Sequence, residues 1–175
     1  MDRTDEFRAF VQRHVDDLRR AAWLLTGDAE DASDLVQETL TRLYPQWDRV
    51  ANADSAFAYV RKCLLRQYLT ESRRHRLLTV SDTYLEGHVD PHDHLDTVPD
   101  QLLLARHLKS LTPIQRTAIV LKFYYDLTDR DAGRVLKCPV TTYRSHLRRG
   151  LAALRKHMAS APSEPCTESP KGAVT

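Results

Sequence analysis

The chain has 175 residues, 42% of them hydrophobic, which is enough for one or two small domains with modest cores. No stretch approaches the roughly 20 apolar residues that a membrane helix needs, and the acidic, polar N-terminus does not resemble a secretion signal. Cys63, Cys138 and Cys166 are widely spaced and form neither a CxxC pair nor a disulfide framework. We therefore expect no membrane insertion, and a protein of the reducing cytoplasm.

The net charge of +2 conceals a segregation of charge along the chain. Residues 61–76 hold six Arg/Lys and one acid, and residues 101–158 hold twelve Arg/Lys and three acids. Residues 77–100, between them, hold six acids and no Arg or Lys. Two basic blocks separated by an acidic one suggest two contacts with nucleic acid, joined by a segment that avoids the duplex. Solvated helix faces are the alternative, and they explain one such run better than two.

Apolar residues at helical spacing predict a first helix over residues 5–25. Gly27 is expected to end it, because glycine accepts the left-handed conformation after a helix. Asp28 is placed to cap a second helix, which must stop before Pro45. Residues 46–54 read as a loop.

A third helix should begin at a cap formed by Asp54 or Ser55 and continue to about residue 76, so that residues 5–76 form one all-α domain. Residues 77–100 lose helical periodicity and are predicted to be a flexible linker. A second helical domain is predicted over 101–158, with a Pro/Ser-rich, disordered tail over 159–175. Within the second helical domain, Thr112 is expected to cap a helix that starts at Pro113.

The segment from Leu127 to Lys156 has the pattern of a helix-turn-helix: a short helix capped by Thr128, a turn at Cys138-Pro139, and a long helix rich in arginine. The predicted buried stripe of the long helix consists of Val140, Tyr143, Leu147, Leu151 and Leu154. The opposite face carries Thr141, Thr142, Arg144, Ser145, Arg148 and Arg149. Short hydroxyls and arginines on an exposed helix suit the major groove of DNA.

Three strings in this order resemble the small, two-domain bacterial RNA polymerase sigma factors of the extracytoplasmic-function (ECF) group. They are DAEDASDLVQETLTRLYPQW, AFAYVRKCLLRQYLTESRRHR, and LTPIQRTAIVLKFYYDLTDRDAGRVLKCPVTTYRSHLRRGLAALR. The resemblance covers residues 5–158. It implies an all-α fold of two small helical domains, a region 2 bundle and a region 4 helix-turn-helix, joined by an extended linker. It also implies a promoter-specificity subunit that reads the −10 and −35 elements and enables DNA melting.

Several positions depart from the family pattern. Arg66 stands where an asparagine is frequent, and Lys137 and Thr141 replace glycines at the turn and at the start of the recognition helix. Gly133 lies inside the first helix of the motif, where glycine costs roughly 1 kcal/mol relative to alanine. Lys137 must accept whatever backbone the glycine position needs.

The resemblance assigns a polymerase-docking surface to one face of the second helix: Asp34, Gln37, Glu38 and Arg42. From physical chemistry alone the same residues are a solvated face with a Glu38–Arg42 pair. The partners implied are promoter DNA, the β′ clamp helices and β flap of core RNA polymerase, and an anti-sigma factor.

The −10 contacts are predicted on and around the third helix: Asn52, Tyr59, Arg61, Lys62, Arg66, Arg73 and Arg74. Basic side chains there would neutralise phosphates, and the loop around Trp47, Val50 and Asn52 would receive an unstacked base. Trp47 itself is expected in the core. In the −35 contact, Thr141, Thr142, Arg144 and Ser145 are assigned to base reading, with Arg148 and Arg149 in a mixed or phosphate-binding role.

No catalytic constellation, cofactor motif or metal site is predicted. His88, His92 and His94 lie in the Pro/Gly-containing linker, which offers no rigid support for a metal. Two other classes remain open: a stand-alone helix-turn-helix regulator with an N-terminal sensing or dimerisation domain, and a metal- or redox-responsive module. A further hypothesis is that the acidic linker folds back on a basic block, so that the free protein binds DNA poorly.

Overall fold

The computed structural model describes residues 2–79 and 99–160, and all regular secondary structure in these ranges is helical. The predicted all-α class is confirmed. The N-terminal helices are α1 Arg3–Thr26, α2 Ala29–Leu43, α3 Trp47–Ala51 and α4 Ala56–Thr79. The C-terminal helices are α5 Pro99–Lys109, α6 Pro113–Ile119, α7 Asp129–Leu136 and α8 Val140–Ser160. The linker histidines lie outside the described residues, as do most of the predicted linker and nearly all of the predicted tail.

Local capping signals set the first helix boundaries as predicted. Gly27 follows α1 with φ 69°, and its N–H donates to the Trp23 carbonyl. A Cβ there would lie 2.6 Å from Cε of Lys109, so glycine suits both the backbone angle and the packing. Asp28 caps α2, because its carboxylate accepts from the Asp31 N–H at 3.0 Å. α4 starts after Ser55, whose hydroxyl accepts from the Ala58 N–H at 3.2 Å.

The predicted loop over residues 46–54 is wrong in its first half. Tyr44–Gln46 form a 3₁₀ turn, and Trp47–Ala51 form α3. Trp47 is 2% exposed and Val50 is fully buried, and the three-residue spacing places both on the inner side of this single turn. A five-residue helix is too short to show a period in the sequence. The Trp47 ring contacts the rings of Phe7 and Phe10, so its predicted core position is confirmed.

The core of the N-terminal bundle lies where α1, α2 and α4 meet. Its fully buried side chains include Leu18 and Leu25 of α1 and Leu64 and Leu65 of α4. Thr39 of α2 is a buried polar residue in this core. Its hydroxyl lies 2.7 Å from the Leu35 carbonyl and 3.1 Å from the Gln67 side-chain oxygen. None of the helices in the described ranges combines the length and the apolarity needed to cross a bilayer.

The C-terminal helices form a helix-turn-helix on a supporting helix. Thr112 precedes Pro113 at the start of α6, and Thr128 caps α7 by accepting from the Asp131 N–H at 3.2 Å, both as predicted. Residues Val120–Tyr124 continue α6 as one π-helical turn. Tyr143 of α8 is fully buried and donates to the Ala118 carbonyl at 3.2 Å. This bond locks α8 against α6.

The turn between α7 and α8 involves Gly133 and Lys137, two of the unusual positions in the sequence. Lys137 adopts φ 54° and ψ 43°, a left-handed conformation that is costly for a residue with a Cβ. The Cys138 N–H donates to the Gly133 carbonyl at 3.0 Å. A Cβ on Gly133 would lie 3.0 Å from the Cys138 carbonyl oxygen. Gly133 therefore permits the close approach of the turn, a gain that offsets its poor helix propensity.

The two domains pack directly against each other. Arg116 of α6 is 7% exposed and donates to the Leu25 carbonyl at the end of α1. Arg66 of α4 donates to the Val135 carbonyl of α7 at 3.2 Å, and the Tyr124 hydroxyl donates to the Asp17 carbonyl at 3.2 Å. Nothing in the sequence indicated this contact, because these partners are 69 to 107 residues apart.

Candidate nucleic-acid and polymerase interfaces

The N-terminal half of α8 presents the polar face predicted for it. Tyr143 is fully buried, and the other four residues of the predicted stripe are partly buried. Five of the six side chains predicted to contact the −35 element, the upstream box of the promoter, are exposed, and Ser145 is half-buried. The exposed ones are Thr141, Thr142, Arg144, Arg148 and Arg149. The structure thus brings together a continuous surface of hydroxyls and guanidinium groups that a groove of duplex DNA can meet.

Arg144 is held by an acidic residue of the preceding helix. Its Nε donates to Oδ2 of Asp129 at 2.7 Å, and Oδ1 of Asp129 lies 3.8 Å from Nζ of Lys122. Hydrogen bonding from Arg144 lowers the pKa of the Asp129 carboxyl below its usual range. The Arg144 side chain nevertheless stays 65% exposed. Asp129 had no assigned role in the sequence interpretation.

The basic side chains predicted for the −10 contact do not form one open surface. Arg73 and Arg74, near the end of α4, are exposed, whereas Lys62 is half-buried. Arg61 and Arg66 are half-buried and face the C-terminal domain. The basic run of α4 is therefore divided into an exposed end and a covered middle.

Aromatic rings cover the Arg61 guanidinium. Its central carbon lies 4.7 Å from the ring centre of Tyr125 and 5.9 Å from that of Phe57. Burial lowers the pKa of Arg61 and raises the pKa of Tyr125. A guanidinium over an aromatic face is attracted by the ring quadrupole, and more strongly when water is excluded. This contact stabilises the packing of α4 against the segment that follows α6.

Asn52 and Tyr59 lie at the other end of α4. Asn52 is exposed, donates from its side chain to the Asp48 carbonyl at 2.7 Å, and borders an open cleft of about 580 Å³ that Phe10 and His14 also line. The half-buried Tyr59 accepts from Arg49 at 3.1 Å. Trp47 and Val50 are buried, so among the three residues named for the base-receiving loop it is Asn52 that reaches the surface.

The four side chains of the predicted docking surface are all exposed on α2, and they are Asp34, Gln37, Glu38 and Arg42. The expected Glu38–Arg42 ion pair is present. Behind this surface, Glu71 of α4 accepts from Gln67 at 2.9 Å. Burial and the neighbouring Glu38 raise the pKa of Glu71. A polar chain through Thr39, Gln67 and Glu71 thus joins α2 to α4.

Arg116 is a buried structural residue that the sequence analysis did not single out. Its three nitrogens donate to four carbonyls, those of Leu25, Leu108, Lys109 and Leu111. The positions three and four residues away hold no acid that would mark it as an ion-pair partner. Its one sequence signal is its place two residues before the apolar run that begins at Ala118.

Neither a metal site nor a reactive thiol emerges from the described ranges. Residues 2–79 and 99–160 contain no group of three or more His, Cys, Asp or Glu side chains placed to hold a metal. Burial raises the pKa of both Cys63 and Cys138, which lowers their thiolate content. The metal- or redox-responsive alternative has no support in this part of the chain.

Family comparisons agree with this architecture. Residues 10–77 match the family profile described as "Sigma-70 region 2", and residues 101–154 match that described as "Sigma-70, region 4". An RNA polymerase sigma-E factor of Streptomyces avermitilis is 33% identical over 156 residues, which is 89% of this chain and 86% of that protein. The ECF RNA polymerase sigma factor SigW of Bacillus subtilis is 26% identical, over 88% of this chain and 89% of SigW.

Solved structures show the same fold. The sigma factor RpoE of Bartonella quintana, in complex with the anti-sigma factor NepR, superposes with a TM-score of 0.72 at 24% identity, over 89% of this chain and 98% of RpoE. CnrH, in complex with the cytosolic domain of CnrY, superposes with a TM-score of 0.63 at 20% identity, over 90% and 91% of the two chains. With both regions in order and a helix-turn-helix whose polar face is open, the chain belongs to the ECF group of the sigma-70 family of RNA polymerase sigma factors.

Proposed function

We propose that this chain docks on core RNA polymerase through α2 and reads two promoter elements, the upstream one with α8 and the downstream one with α4. The observation that carries the proposal is the open polar face of α8, since a helix-turn-helix packed in this way has its recognition helix free to enter a major groove. The chain would have no reaction of its own and would act in the cytoplasm, where the polymerase is. Nothing favours the stand-alone regulator.

In the docking step, the exposed face of α2 meets the β′ clamp helices. Asp34, Gln37, Glu38 and Arg42 offer both charges and an amide, a combination suited to a polar protein interface. The C-terminal domain would contact the β flap. Because RpoE and CnrH were solved with NepR and the cytosolic domain of CnrY, we also expect an anti-sigma protein as a partner of this chain.

In the upstream contact, Thr141, Thr142, Arg144 and Ser145 read base edges, because they lie in the first two turns of α8. Arg148 and Arg149 lie one turn further on and serve as mixed or phosphate contacts. Arginine pairs with guanine through two parallel hydrogen bonds, so Arg144 is our candidate for the most discriminating contact.

In the downstream contact, Arg73, Arg74 and Lys62 neutralise phosphates, and the cleft beside Asn52 takes an unstacked base with Tyr59 nearby. Arg61 and Arg66 can join them only after leaving Tyr125 and the Val135 carbonyl. We therefore infer that the two domains separate when the protein docks on polymerase and promoter. The acidic linker that was expected to fold back on a basic block lies mostly outside the described ranges. In the described ranges, the C-terminal domain covers the middle of α4.

Transcription by a reconstituted holoenzyme tests the proposal. Purified chain and core polymerase are incubated with a genomic DNA library, and the run-off transcripts are mapped to their start sites. We expect start sites that share two upstream boxes. Transcripts no different from those of core polymerase alone would refute the assignment.

A pair of charge reversals tests the docking surface. Asp34→Lys on α2 should weaken the association with core polymerase at least tenfold, because a like charge placed in a complementary interface is costly. Asp16→Lys on α1 makes the same charge change at another exposed position and is the matched control. Equal effects from the two variants would rule out α2 as the docking face.

Domain separation has its own test, a gel shift of promoter duplex with the free chain and with the holoenzyme. We expect weak binding by the free chain and tight binding by the holoenzyme. Tight, promoter-specific binding without polymerase would contradict the inference.

A further inference from the structure

The pair formed by Asp129 and Arg144 joins the two helices of the helix-turn-helix on their solvent side. Asp129 is the first residue of α7, and Arg144 is the fifth residue of α8. Oδ2 of Asp129 accepts from Nε of Arg144 at 2.7 Å, which is a short, charge-assisted hydrogen bond. The bond uses the inner nitrogen of the guanidinium. The terminal nitrogens Nη1 and Nη2 make no hydrogen bond within residues 2–79 and 99–160, and the side chain stays 65% exposed.

The Asp129 carboxylate is held independently of Arg144. It stands at the first position of α7, where the helix dipole favours a negative charge. Its other oxygen lies 3.8 Å from the Lys122 ammonium, on the segment that continues α6. The Asp129 side chain is only 27% exposed, so its range of orientations is narrower than that of a free surface aspartate.

We propose that Asp129 is a positioning residue for promoter reading: it orients the Arg144 guanidinium so that Nη1 and Nη2 face the major groove and pair with one guanine. The inference rests on the proposed role of α8 in DNA recognition. A free arginine loses rotamer freedom when it binds, whereas an arginine already held through Nε loses less. The Arg144 side chain is 65% exposed, so the ion pair contributes little to folding stability. Its effect is therefore expected in base discrimination.

The sign of the charge effect separates this role from its main competitor. A carboxylate near DNA repels phosphates, so removing any acid from this domain should raise its affinity for all duplexes. If Asp129 only sequestered Arg144 away from DNA, its removal would raise affinity and leave base preference unchanged or sharper. If Asp129 positions Arg144, its removal should raise non-specific affinity and lower the preference for guanine.

Selection from a duplex library randomised over the upstream box tests the proposal, with the full-length chain bound to core RNA polymerase. The variants are Asp129→Asn, Asp129→Glu, Asp126→Asn, Arg144→Ala and the double variant Asp129→Asn/Arg144→Ala. Asp126 is an exposed acid with φ 47°, a conformation that asparagine accepts, and its side chain forms no hydrogen bond or ion pair with Arg144. Asp126→Asn therefore makes the same change of charge and is the matched control.

We expect Asp129→Asn to lower the preference for guanine at one position by roughly three- to tenfold, part of the discrimination that one bidentate pair provides. Arg144→Ala should abolish the preference at that same position, and adding Asp129→Asn to it should raise non-specific affinity without changing the base preference further. Asp126→Asn should raise affinity for a non-specific duplex as much as Asp129→Asn does and leave the selected sequence unaltered. Asp129→Glu should restore part of the preference, because it returns the carboxylate.

An unchanged guanine preference in Asp129→Asn would overturn the proposal, as would equal changes in Asp129→Asn and Asp126→Asn. These outcomes leave the proposed function intact, because the wild-type holoenzyme still selects a sequence. If the wild-type holoenzyme selects no sequence in the upstream box, the proposed function of α8 fails and this inference fails with it. Circular dichroism spectra of the variants, matched to that of the wild type, show that each one is folded.

Discussion

Replacing Arg116 by methionine should destabilise the C-terminal domain more than any other single change of a charged residue that we consider. Methionine keeps most of the length of the side chain but removes every donor. The carbonyls of Leu108, Lys109 and Leu111, which surround the end of α5, would lose the nitrogens that now lie 2.8 to 3.2 Å away. The Leu25 carbonyl at the end of α1 would lose its donor as well.

The expected loss of stability follows from the four carbonyls that the substitution leaves without a donor. Each hydrogen bond from a charged donor is worth about 1.5–3 kcal/mol, but the four bonds share one guanidinium and do not add. Burial of the guanidinium, which lowers the pKa of Arg116, is relieved in the variant and offsets part of the loss. We expect a fall of about 3–5 kcal/mol in the free energy of unfolding. In a protein of this size that corresponds to a fall of roughly 10 °C in Tm.

Two optical probes in one urea titration show which domain loses stability. Both tryptophans, Trp23 and Trp47, lie in the N-terminal bundle, so their fluorescence reports that domain. Circular dichroism reports the helices of both domains. Because three of the four carbonyls belong to the C-terminal domain, the circular dichroism midpoint should fall further than the fluorescence midpoint.

The exposed Arg130 provides the control: Arg130→Met on α7 should change stability by less than about 0.5 kcal/mol. Arg116→Lys keeps the charge but cannot reach four carbonyls, so it should fall between the wild type and Arg116→Met. If Arg116→Met unfolds at the same urea concentration as Arg130→Met, the carbonyl contacts of Arg116 do not stabilise the domain.

Four other substitutions give different readouts. Lys137→Gly should raise the free energy of unfolding by about 1 kcal/mol, because glycine accepts the left-handed backbone at φ 54° without cost; urea titration measures this. In promoter binding by the holoenzyme, Arg144→Ala should cost about 1–3 kcal/mol at one base position, whereas Arg73→Ala should weaken binding to all promoters and lower the salt slope by about one. Glu71→Gln should stabilise the protein at neutral pH, as unfolding at several pH values will show. The folded pKa of Glu71 is raised, so the folded state binds a proton more tightly than the unfolded state. Stability contributed by this group is lost as pH rises from the unfolded pKa through the folded pKa, and glutamine removes that dependence.

Each of these expectations has a contrary outcome. Lys137→Ala keeps the Cβ and should give no gain, so equal effects of alanine and glycine would show that the backbone angle is not the cause. Equal effects of Arg144→Ala and Arg73→Ala across all promoters would show that base and phosphate roles have been exchanged. An unaltered pH dependence in Glu71→Gln would show that Glu38 and burial do not perturb the Glu71 carboxyl.

Much of this fold could be predicted from the sequence, because helix ends and buried stripes depend on short-range interactions. Gly27, Asp28, Thr112 and Thr128 mark helix ends because each acts on backbone groups within four residues of itself. The buried stripe of α8 follows from helical periodicity in the same way. Helix α3 was misread as a loop because it is shorter than two turns. Trp47 anchors it against rings of α1 that are distant in sequence.

The sequence by itself determined the longer helices, their caps, the helix-turn-helix and the polar faces of α2 and α8, because those properties depend on neighbours within one or two turns. The docking role of the α2 face came from the family resemblance. Only the tertiary structure decided that Arg116 reaches across 91 residues to the Leu25 carbonyl, that Arg61 and Arg66 lie under the C-terminal domain, and that Asp129 holds Arg144. No sequence pattern shows which backbone carbonyl or aromatic ring will contact a given arginine. Their pairing is fixed by how whole helices pack, and no local pattern encodes it.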